Sequence, residues 1–197
     1  IYDGFYEYGV RIVDVRHEQA AAMMAHAWSV FGEHPGVCLV TAGPGFTNAL
    51  TGLVNAALDN VPLVLISGTA PVRDWDRGAL QEMNQSAMVR SVVKWSGVCY
   101  DIKRIPEYIA KAFRHAVAGR PGPVFLEFPP DILNIRVDEA QIPPVVKGGR
   151  VYRSGADAVA VRKAAELINR AEKPLIVGGS GVGFSPCEAE LAAFVSK

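Results

Sequence analysis

The sequence has few of the residues that build disulfide frameworks and metal sites. Its cysteines number only three, and they are widely spaced: Cys38, Cys99 and Cys187. An odd, scattered set of this kind predicts neither a disulfide framework nor a metal site, and it favours a reducing, cytoplasmic compartment. The four histidines share no metal-ligand spacing either, so no metal ligands are predicted within these residues.

The sequence also lacks an excess of charge and a long apolar run. Lys and Arg together number 20, as do Asp and Glu, so the formal net charge is zero. This balance favours neither nucleic acid nor an acidic membrane surface as a partner. We recognise no signal peptide and no apolar run long enough to span a bilayer. The chain opens on Ile1 and stops in mid-pattern, so we expect it to be a fragment of a longer polypeptide.

What is present is a pattern of short apolar runs alternating with longer amphipathic segments. Half of the residues are hydrophobic and only 20% are charged, which is enough for a sizeable core. The predicted strands are Arg11–Val15, Val37–Thr41, Leu63–Ser67, Val93–Tyr100, Val124–Phe128 and Leu175–Val177. The predicted helices are Glu18–Phe31, Asn48–Leu58, Gln85–Ser91, Ile105–Ala118, Asp157–Arg170 and Glu188–Val195. Buried strands joined by helical crossovers predict an α/β fold with a doubly wound parallel sheet.

One segment reads as a boundary between domains. Residues 139–153 contain Pro143-Pro144 and Gly148-Gly149 and show no hydrophobic periodicity. We therefore predict a first domain over residues 1–138, a linker over 139–153, and the start of a second α/β domain over 154–197.

Two features early in the chain carry the strongest chemical signal. Glu18 follows a β-branched run and stands at the start of a predicted helix. About two dozen residues later, another predicted strand leads into Gly43-Pro44-Gly45, in which the two glycines allow close approach of the backbone and Pro44 stiffens the turn. Taken alone, Glu18 is better explained by its favourable interaction with the helix dipole.

Together with the segments that follow in order, these features resemble a known domain. Over roughly residues 9–135, the sequence is similar to the pyrimidine-binding domain of thiamine diphosphate (ThDP) enzymes. The segments that carry this similarity are Arg16 to Ala21, Val40 to Asn48, Val61 to Gly68, Gly78 to Glu82, Lys94-Trp95 and Gly119 to Val124. The similarity is to the group of acetolactate synthase, benzaldehyde lyase and 2-hydroxyacyl-CoA lyase. The residues after the linker resemble the opening of that group's central domain.

The resemblance implies roles for four residues. Glu18 is the glutamate that bonds N1′ of the cofactor's aminopyrimidine, favouring the imino tautomer that removes the C2 proton. A carboxyl buried beside an apolar ring would have a raised pKa, which suits it to proton transfer. Pro44 and Asn48 belong to the turn that contacts the cofactor. Gln81 is expected to reach the active site, where a neutral amide can bond a substrate carbonyl or carboxylate.

Two further residues carry a functional and a structural interpretation. Lys94 matches a lysine near the substrate channel of acetolactate synthases, but it also fits a strand lysine whose stem packs on apolar surface. Arg120 matches an arginine that contacts FAD in flavin-containing relatives. Relatives without flavin keep the same turn, so bound FAD or adenine nucleotide has no further support. The glycine-rich turn at residues 178–183 lacks the third glycine of a dinucleotide site, because Phe184 stands in its place.

The resemblance also implies what lies outside these residues. The domain's first strand and the diphosphate-binding domain with its Mg²⁺ site are not in the sequence. In this group the active site forms between two subunits, so the expected assembly is a homodimer or homotetramer, and the fragment by itself should be inactive.

The function that follows is a ThDP- and Mg²⁺-dependent lyase or carboligase, which cleaves or forms a C–C bond next to a carbonyl of a small 2-keto or 2-hydroxy substrate, including an acyl-CoA. Pro130 and Leu80 stand where pyruvate-using acetolactate synthases carry lysine and phenylalanine, which favours a 2-hydroxyacyl lyase. The alternatives are an acetolactate synthase, then a 2-keto acid decarboxylase. A non-catalytic nucleotide-binding or regulatory α/β module is the alternative from another class, and the presence of Glu18 argues against it.

Overall fold

A computed structural model describes residues 1–32, 34–145 and 155–196. The chain divides into two compact units, Ile1–Val151 and Tyr152–Lys197. The predicted linker overlaps residues 146–154, which lie outside the described residues, while Glu139–Gln141 just before them form a 3-10 turn. The predicted domain limits stay a prediction.

The first unit is built on one parallel sheet. Its strands are β1 (Gly36–Val40), β2 (Leu63–Gly68), β3 (Trp95–Val98) and β4 (Val124–Phe128), in the spatial order β1-β2-β4-β3. All three pairings are parallel. Every residue of β4, and all of β2 except Gly68, is buried, as expected for central strands covered on both faces. The predicted parallel α/β fold is confirmed.

Helices cover both faces of this sheet. Along the chain they are α1 (Tyr2–Glu7), α2 (Glu18–Phe31), α3 (Pro44–Leu58), α4 (Gln85–Val89), α5 (Ile105–Val117) and α6 (Pro130–Leu133). On one face, Ala112 and Ala116 of α5 pack with Leu126 and its neighbours on β2 and β4. On the other face, Phe46 of α3 lies against Phe125, with 4.9 Å between ring centroids. Because alternate residues of β4 point to opposite faces, one strand supplies both cores.

Helices α2 and α3 pack closely because small residues line their contact. A side chain on Gly52 of α3 would come within 2.5 Å of the Ala22 Cβ on α2. Ser29 near the end of α2 is buried, donates to the carbonyl of Pro62, and accepts from the amide of Gly36 at the start of β1. These contacts fix the position of the α2 N-terminus, where Glu18 lies.

The predicted elements agree with the structure at most positions. The limits of α2 and β4 are as predicted, and the other predicted core elements differ by one to four residues at an end. Helix α3 begins at Pro44 rather than Asn48, because proline is well suited to the first helical position. The Gly43-Pro44-Gly45 segment is therefore a helix N-terminus.

Two predicted strands are wrong. Residues 11–15 and 175–177 are not strands, although their β-branched and apolar composition favours one. A strand needs a hydrogen-bonding neighbour, and no described strand lies beside either segment. Their side chains are exposed accordingly, with Val13 at 55%, Leu175 at 89% and Val177 at 86%.

The described residues of the second unit, 155–196, form three helices joined by irregular segments. It contains α7 (Ala158–Arg170), α8 (Gly181–Phe184) and α9 (Glu188–Val195). Asp157 caps α7 by accepting from the Ala160 amide at 2.8 Å. The glycine-rich turn at residues 178–183 contributes the first three residues of α8.

Candidate active site

Four of the predicted site residues, Glu18, Pro44, Asn48 and Gln81, lie at the carboxyl edge of the sheet. Chain segments that leave β1, β2 and β4 all emerge at this edge, because the strands are parallel. In open α/β sheets, this is the edge where ligands bind. The N-termini of α2 and α3 meet here, and the loop that follows β2 passes over them.

Glu18 is the first residue of α2, and a residue of α3 holds its side chain. The Nδ2 atom of Asn48 donates to Oε2 of Glu18 at 3.0 Å. His17 caps the helix by accepting from the Gln19 amide at 3.2 Å. Glu18 is partly exposed and Asn48 is exposed, so the pair faces outward from the edge.

The hydrogen bond from Asn48 lowers the pKa of Glu18 below its ordinary value of 4.5, and its own backbone amide adds to this shift. Burial acts in the opposite direction and is the weaker influence. In this chain by itself Glu18 is only partly buried and accepts a hydrogen bond in its charged form, which favours a lowered pKa. The raised pKa expected from the sequence concerns a carboxyl buried beside a ring, and it stays a prediction.

The segment Gly43-Pro44-Gly45, called the glycine turn below, leaves room for the side chains around it. A Cβ on Gly45 would lie 3.2 Å from Oε1 of Glu18 and 2.5 Å from Cγ2 of Thr41. Gly43 has a φ of +63°, and a Cβ there would lie 2.8 Å from Cβ of Gln81. Both glycines are therefore required by close approach, and Gly43 also by its backbone conformation.

Pro44 and Asn48 lie one helical turn apart on α3, so they share a face of the helix, and both are exposed. The structure thus brings Glu18, Pro44, Asn48 and Gln81 together around the Gly43-Pro44-Gly45 turn. Their roles toward a ligand stay predictions.

Gln81 lies on a strained loop. Its φ is +61°, a left-handed conformation that non-glycine residues seldom adopt and that recurs at functional sites. The loop is held by Glu82, whose carboxylate accepts from the amides of Asp76 at 2.7 Å and Ala79 at 2.9 Å. These backbone hydrogen bonds, chiefly that of Ala79, lower the pKa of Glu82. The exposed amide of Gln81 is therefore presented above the glycine turn.

Lys94 and Arg120 lie at the opposite, amino edge of the sheet. Lys94 directly precedes β3, and its Nζ donates to the carbonyls of His115 at 2.6 Å and Ala118 at 2.5 Å, at the end of α5. Burial lowers the pKa of this lysine. A cation at a helix C-terminus is a stabilising cap, so the structural interpretation of Lys94 has direct support. Arg120 is exposed before β4, and the substrate and flavin roles of the two residues stay predictions.

Two buried polar residues beneath the glycine turn were not predicted from the sequence to belong to the site. Gln85 is 1% exposed and Glu127 is 2% exposed. Nε2 of Gln85 donates to Oε2 of Glu127 at 2.8 Å, and Oγ of Ser86 donates to Oε1 of Glu127. Gln85 gives no sequence signal, but a glutamate inside the apolar run Val124–Phe128 does, because a buried charge requires partners.

Over the described ranges, no group of three or more His, Cys, Asp and Glu side chains could hold a metal ion. Helices long and apolar enough to cross a bilayer are also absent from these parts of the chain.

The arrangement has a definite chemical capacity. The Glu18 carboxylate is held by the Asn48 amide and lies beside Gly45. It can accept a hydrogen bond from an N–H of a planar ring and exchange a proton with that nitrogen.

Comparison with known proteins shows which enzymes the chain is similar to. Residues 1–88 match the thiamine pyrophosphate enzyme family in its N-terminal TPP binding domain. The chain is 34% identical over 194 residues to a 2-hydroxyacyl-CoA lyase of Arabidopsis thaliana, covering 95% of this chain and 34% of the relative. It is 36% identical over 184 residues to an acetolactate synthase of Arthrospira platensis, covering 90% of this chain and 31% of the relative.

A human relative, 2-hydroxyacyl-CoA lyase 1, is 34% identical over 189 residues, which are 96% of this chain and 33% of that protein. The chain spans about a third of the length of each of these relatives. The family match falls on α1 to α4, the part that carries Glu18, the glycine turn and Gln81. Residues 1–88 therefore match the N-terminal TPP binding domain of thiamine pyrophosphate enzymes, and the chain is similar over most of its length to these lyases and synthases.

Proposed function

We propose that this chain supplies the pyrimidine-binding half of the active site of a ThDP-dependent lyase or carboligase. The observation that carries the proposal is the contact between Glu18 and Asn48 beside the glycine turn. It places one partly exposed carboxylate where a flat, nitrogen-containing ring can lie against the backbone of α3.

The residues present fit the aminopyrimidine of the cofactor. A Cβ on Gly45 would press on both Thr41 and Glu18, so this position leaves open the space that a ring edge needs next to the carboxylate. Glu18 would bond N1′ of the ring, Pro44 and Asn48 would line its contact surface, and Gln81 would reach over it toward the substrate. Residues outside this chain would hold Mg²⁺ and the diphosphate.

ThDP, when bound, supplies the carbon nucleophile that attacks a substrate carbonyl. The chain's own contribution is to hold and exchange a proton at N1′ through Glu18. Asn48 fixes the direction of that carboxylate. The lowered pKa of Glu18 means that it is ionised before the cofactor arrives, and burial under the ring would then raise its pKa toward neutrality. Gln81 would orient a substrate oxygen without adding a charge.

Within the family, two positions support a 2-hydroxyacyl lyase. Pro130 is the first residue of α6. It has no hydrogen-bond donor and no charge, whereas pyruvate-using acetolactate synthases carry a lysine at this position. Its neighbour Asp131 accepts from the amide of Val72 at 3.1 Å, so this segment ties to the loop that leads to Gln81. Leu80, beside Gln81, is 88% exposed and not aromatic.

Acetolactate synthesis is the second candidate, and the 36% identity to the Arthrospira platensis synthase favours it. The two activities are separated by assaying the full-length protein on a 2-hydroxyacyl thioester and on pyruvate. Cleavage of the thioester, with little acetolactate formed, is the expected result. Efficient acetolactate formation would overturn the preference for a lyase while leaving the ThDP assignment intact.

The ThDP assignment itself is tested by Glu18→Gln in the full-length protein. The amide cannot exchange a proton with N1′, so turnover should fall by about 10²–10⁴, the usual contribution of general acid–base catalysis. Glu7→Gln, the same change at an exposed position of α1, is the matched control and should leave turnover unchanged. Turnover of Glu18→Gln equal to that of the control would refute the assignment.

A further inference from the structure

The side-chain amide of Gln85 is buried at the point where three strand ends converge. Its Oε1 accepts from the backbone N–H of Gly43 at 2.8 Å, beyond the end of β1. Its Nε2 donates to the carbonyl of Gly68 at 2.9 Å, at the end of β2, and to Glu127 on β4. One amide thus uses its acceptor and both donors on three different segments.

The partners of Gln85 permit only one orientation of this amide. If it were rotated by 180°, its NH₂ group would face the N–H of Gly43, and its oxygen would face the carbonyl of Gly68 and the carboxylate of Glu127. Both encounters are repulsive, so Glu127 locks the oxygen of Gln85 onto Gly43. Glu127 is fixed in turn by Ser86, and its position on β4 is set by its pairing with Ser67 and Val98.

The backbone of Gly43 lies beneath Glu18 and Gln81, the groups proposed to face the ligand. It is the N-cap of α3, and Gln81 packs on the space that its missing side chain leaves. Two residues on, Gly45 adjoins the Glu18 carboxylate. A shift of the Gly43 N–H would therefore move the start of α3 relative to both Glu18 and Gln81.

We propose that Gln85 is a positioning residue for the cofactor ring, oriented by Glu127, and that it acts through the Gly43 amide. The proposal rests on the proposed function, since it concerns the same turn. Packing alone does not require this pair, because apolar residues of similar volume fill a buried space without the cost of desolvating a carboxylate. The pair fixes a single backbone geometry at the turn.

The test measures ThDP affinity by calorimetry in the full-length protein with Mg²⁺, together with kcat and KM. Gln85→Met keeps the length of the side chain but loses all three hydrogen bonds, so ThDP should bind about tenfold more weakly. Glu127→Met should weaken binding by a similar factor, because it removes the group that orients the amide. Glu127→Gln retains an acceptor oxygen for Gln85 and should bind within about twofold of wild type.

Ser29→Ala is the matched control for a general loss of stability. It also removes a buried polar side chain with two backbone partners, but at the amino edge of the sheet. Its thermal midpoint should fall while its ThDP affinity stays at the wild-type value. Should Gln85→Met fail to fold, Ser86→Ala removes a single hydrogen bond from Glu127 and should weaken ThDP binding by about threefold.

Variants of Gln85 and Glu127 that fold and bind ThDP as tightly as Ser29→Ala would overturn the proposal, and so would equal effects of Glu127→Gln and Glu127→Met. With Gln85→Met unfolded, unchanged affinity in Ser86→Ala would overturn it as well. A wild-type protein that binds no ThDP would instead refute the proposed function itself, so the two failures are distinguishable.

Discussion

Replacing Gly45 by alanine should separate the position of Glu18 from the stability of the fold. The added Cβ would lie 2.5 Å from Cγ2 of Thr41, whereas carbon atoms pack at about 3.5–4 Å, so roughly 1 Å of displacement is needed. Overpacking of this kind costs about 1–3 kcal/mol, and the better helix propensity of alanine returns up to ~1 kcal/mol. A net loss of about 1 kcal/mol is expected on these figures.

The same Cβ would lie 3.2 Å from Oε1 of Glu18, which is tighter than ordinary contact. The carboxylate must therefore move a few tenths of an ångström, and turnover should fall more than the modest loss of stability would explain. The thermal midpoint, ThDP affinity and kcat of the full-length protein are the measurements.

A second substitution divides the two effects. Thr41→Ser removes Cγ2, the atom in closest conflict, so the double variant Thr41→Ser with Gly45→Ala should recover most of the lost stability. Its contact with Glu18 is unchanged, so its turnover should stay low. If the double variant regains wild-type turnover along with stability, crowding of Glu18 is not what limits catalysis, and the reasoning fails.

Three further predictions concern single side chains. Asn48→Ala removes the hydrogen bond that lowers the pKa of Glu18, so this pKa should rise. The acid limb of the plot of kcat/KM against pH should then move to higher pH. An acid limb at the wild-type pH would contradict the contact between Asn48 and Glu18. Glu82→Gln should speed amide hydrogen exchange in the loop over residues 74–83 at neutral pH. Because the pKa of Glu82 is lowered, its stabilisation is present above about pH 4.5 and is lost as the pH falls through the lower folded value, so the variant and wild type should converge there. Lys94→Met should lower the thermal midpoint through loss of a helix cap worth roughly 1–2 kcal/mol, with KM unchanged; a raised KM would instead support the substrate role.

Much of the first unit could be predicted from local pattern. The limits of α2 and β4 follow from hydrophobic periodicity and from an uninterrupted apolar run. The strand predicted at 11–15 failed because strand propensity depends on a neighbour that the local sequence does not reveal. The start of α3 was missed because Gly-Pro-Gly resembles a turn, while proline equally begins a helix.

The candidate site was predictable where one residue type carries the chemistry. The resemblance singled out Glu18, Pro44, Asn48 and Gln81; these residues lie near one another, and their roles stay predictions. The contact of Gln85 with Gly43 was not predictable, since it joins residues 42 positions apart through a loop whose course depends on the fold. The lowered pKa of Glu18 in the chain by itself was not predictable either, because it depends on a hydrogen bond across two helices.

The left-handed backbone at Gln81 has a consequence for engineering this protein. A side chain in this conformation costs on the order of 1 kcal/mol, and glycine would adopt the same backbone without penalty. A library screened only for heat tolerance should therefore enrich glycine at this position. The selected variants would be more heat-stable but would lack the side-chain amide of Gln81 above the glycine turn. Such a screen therefore needs an activity assay in every round.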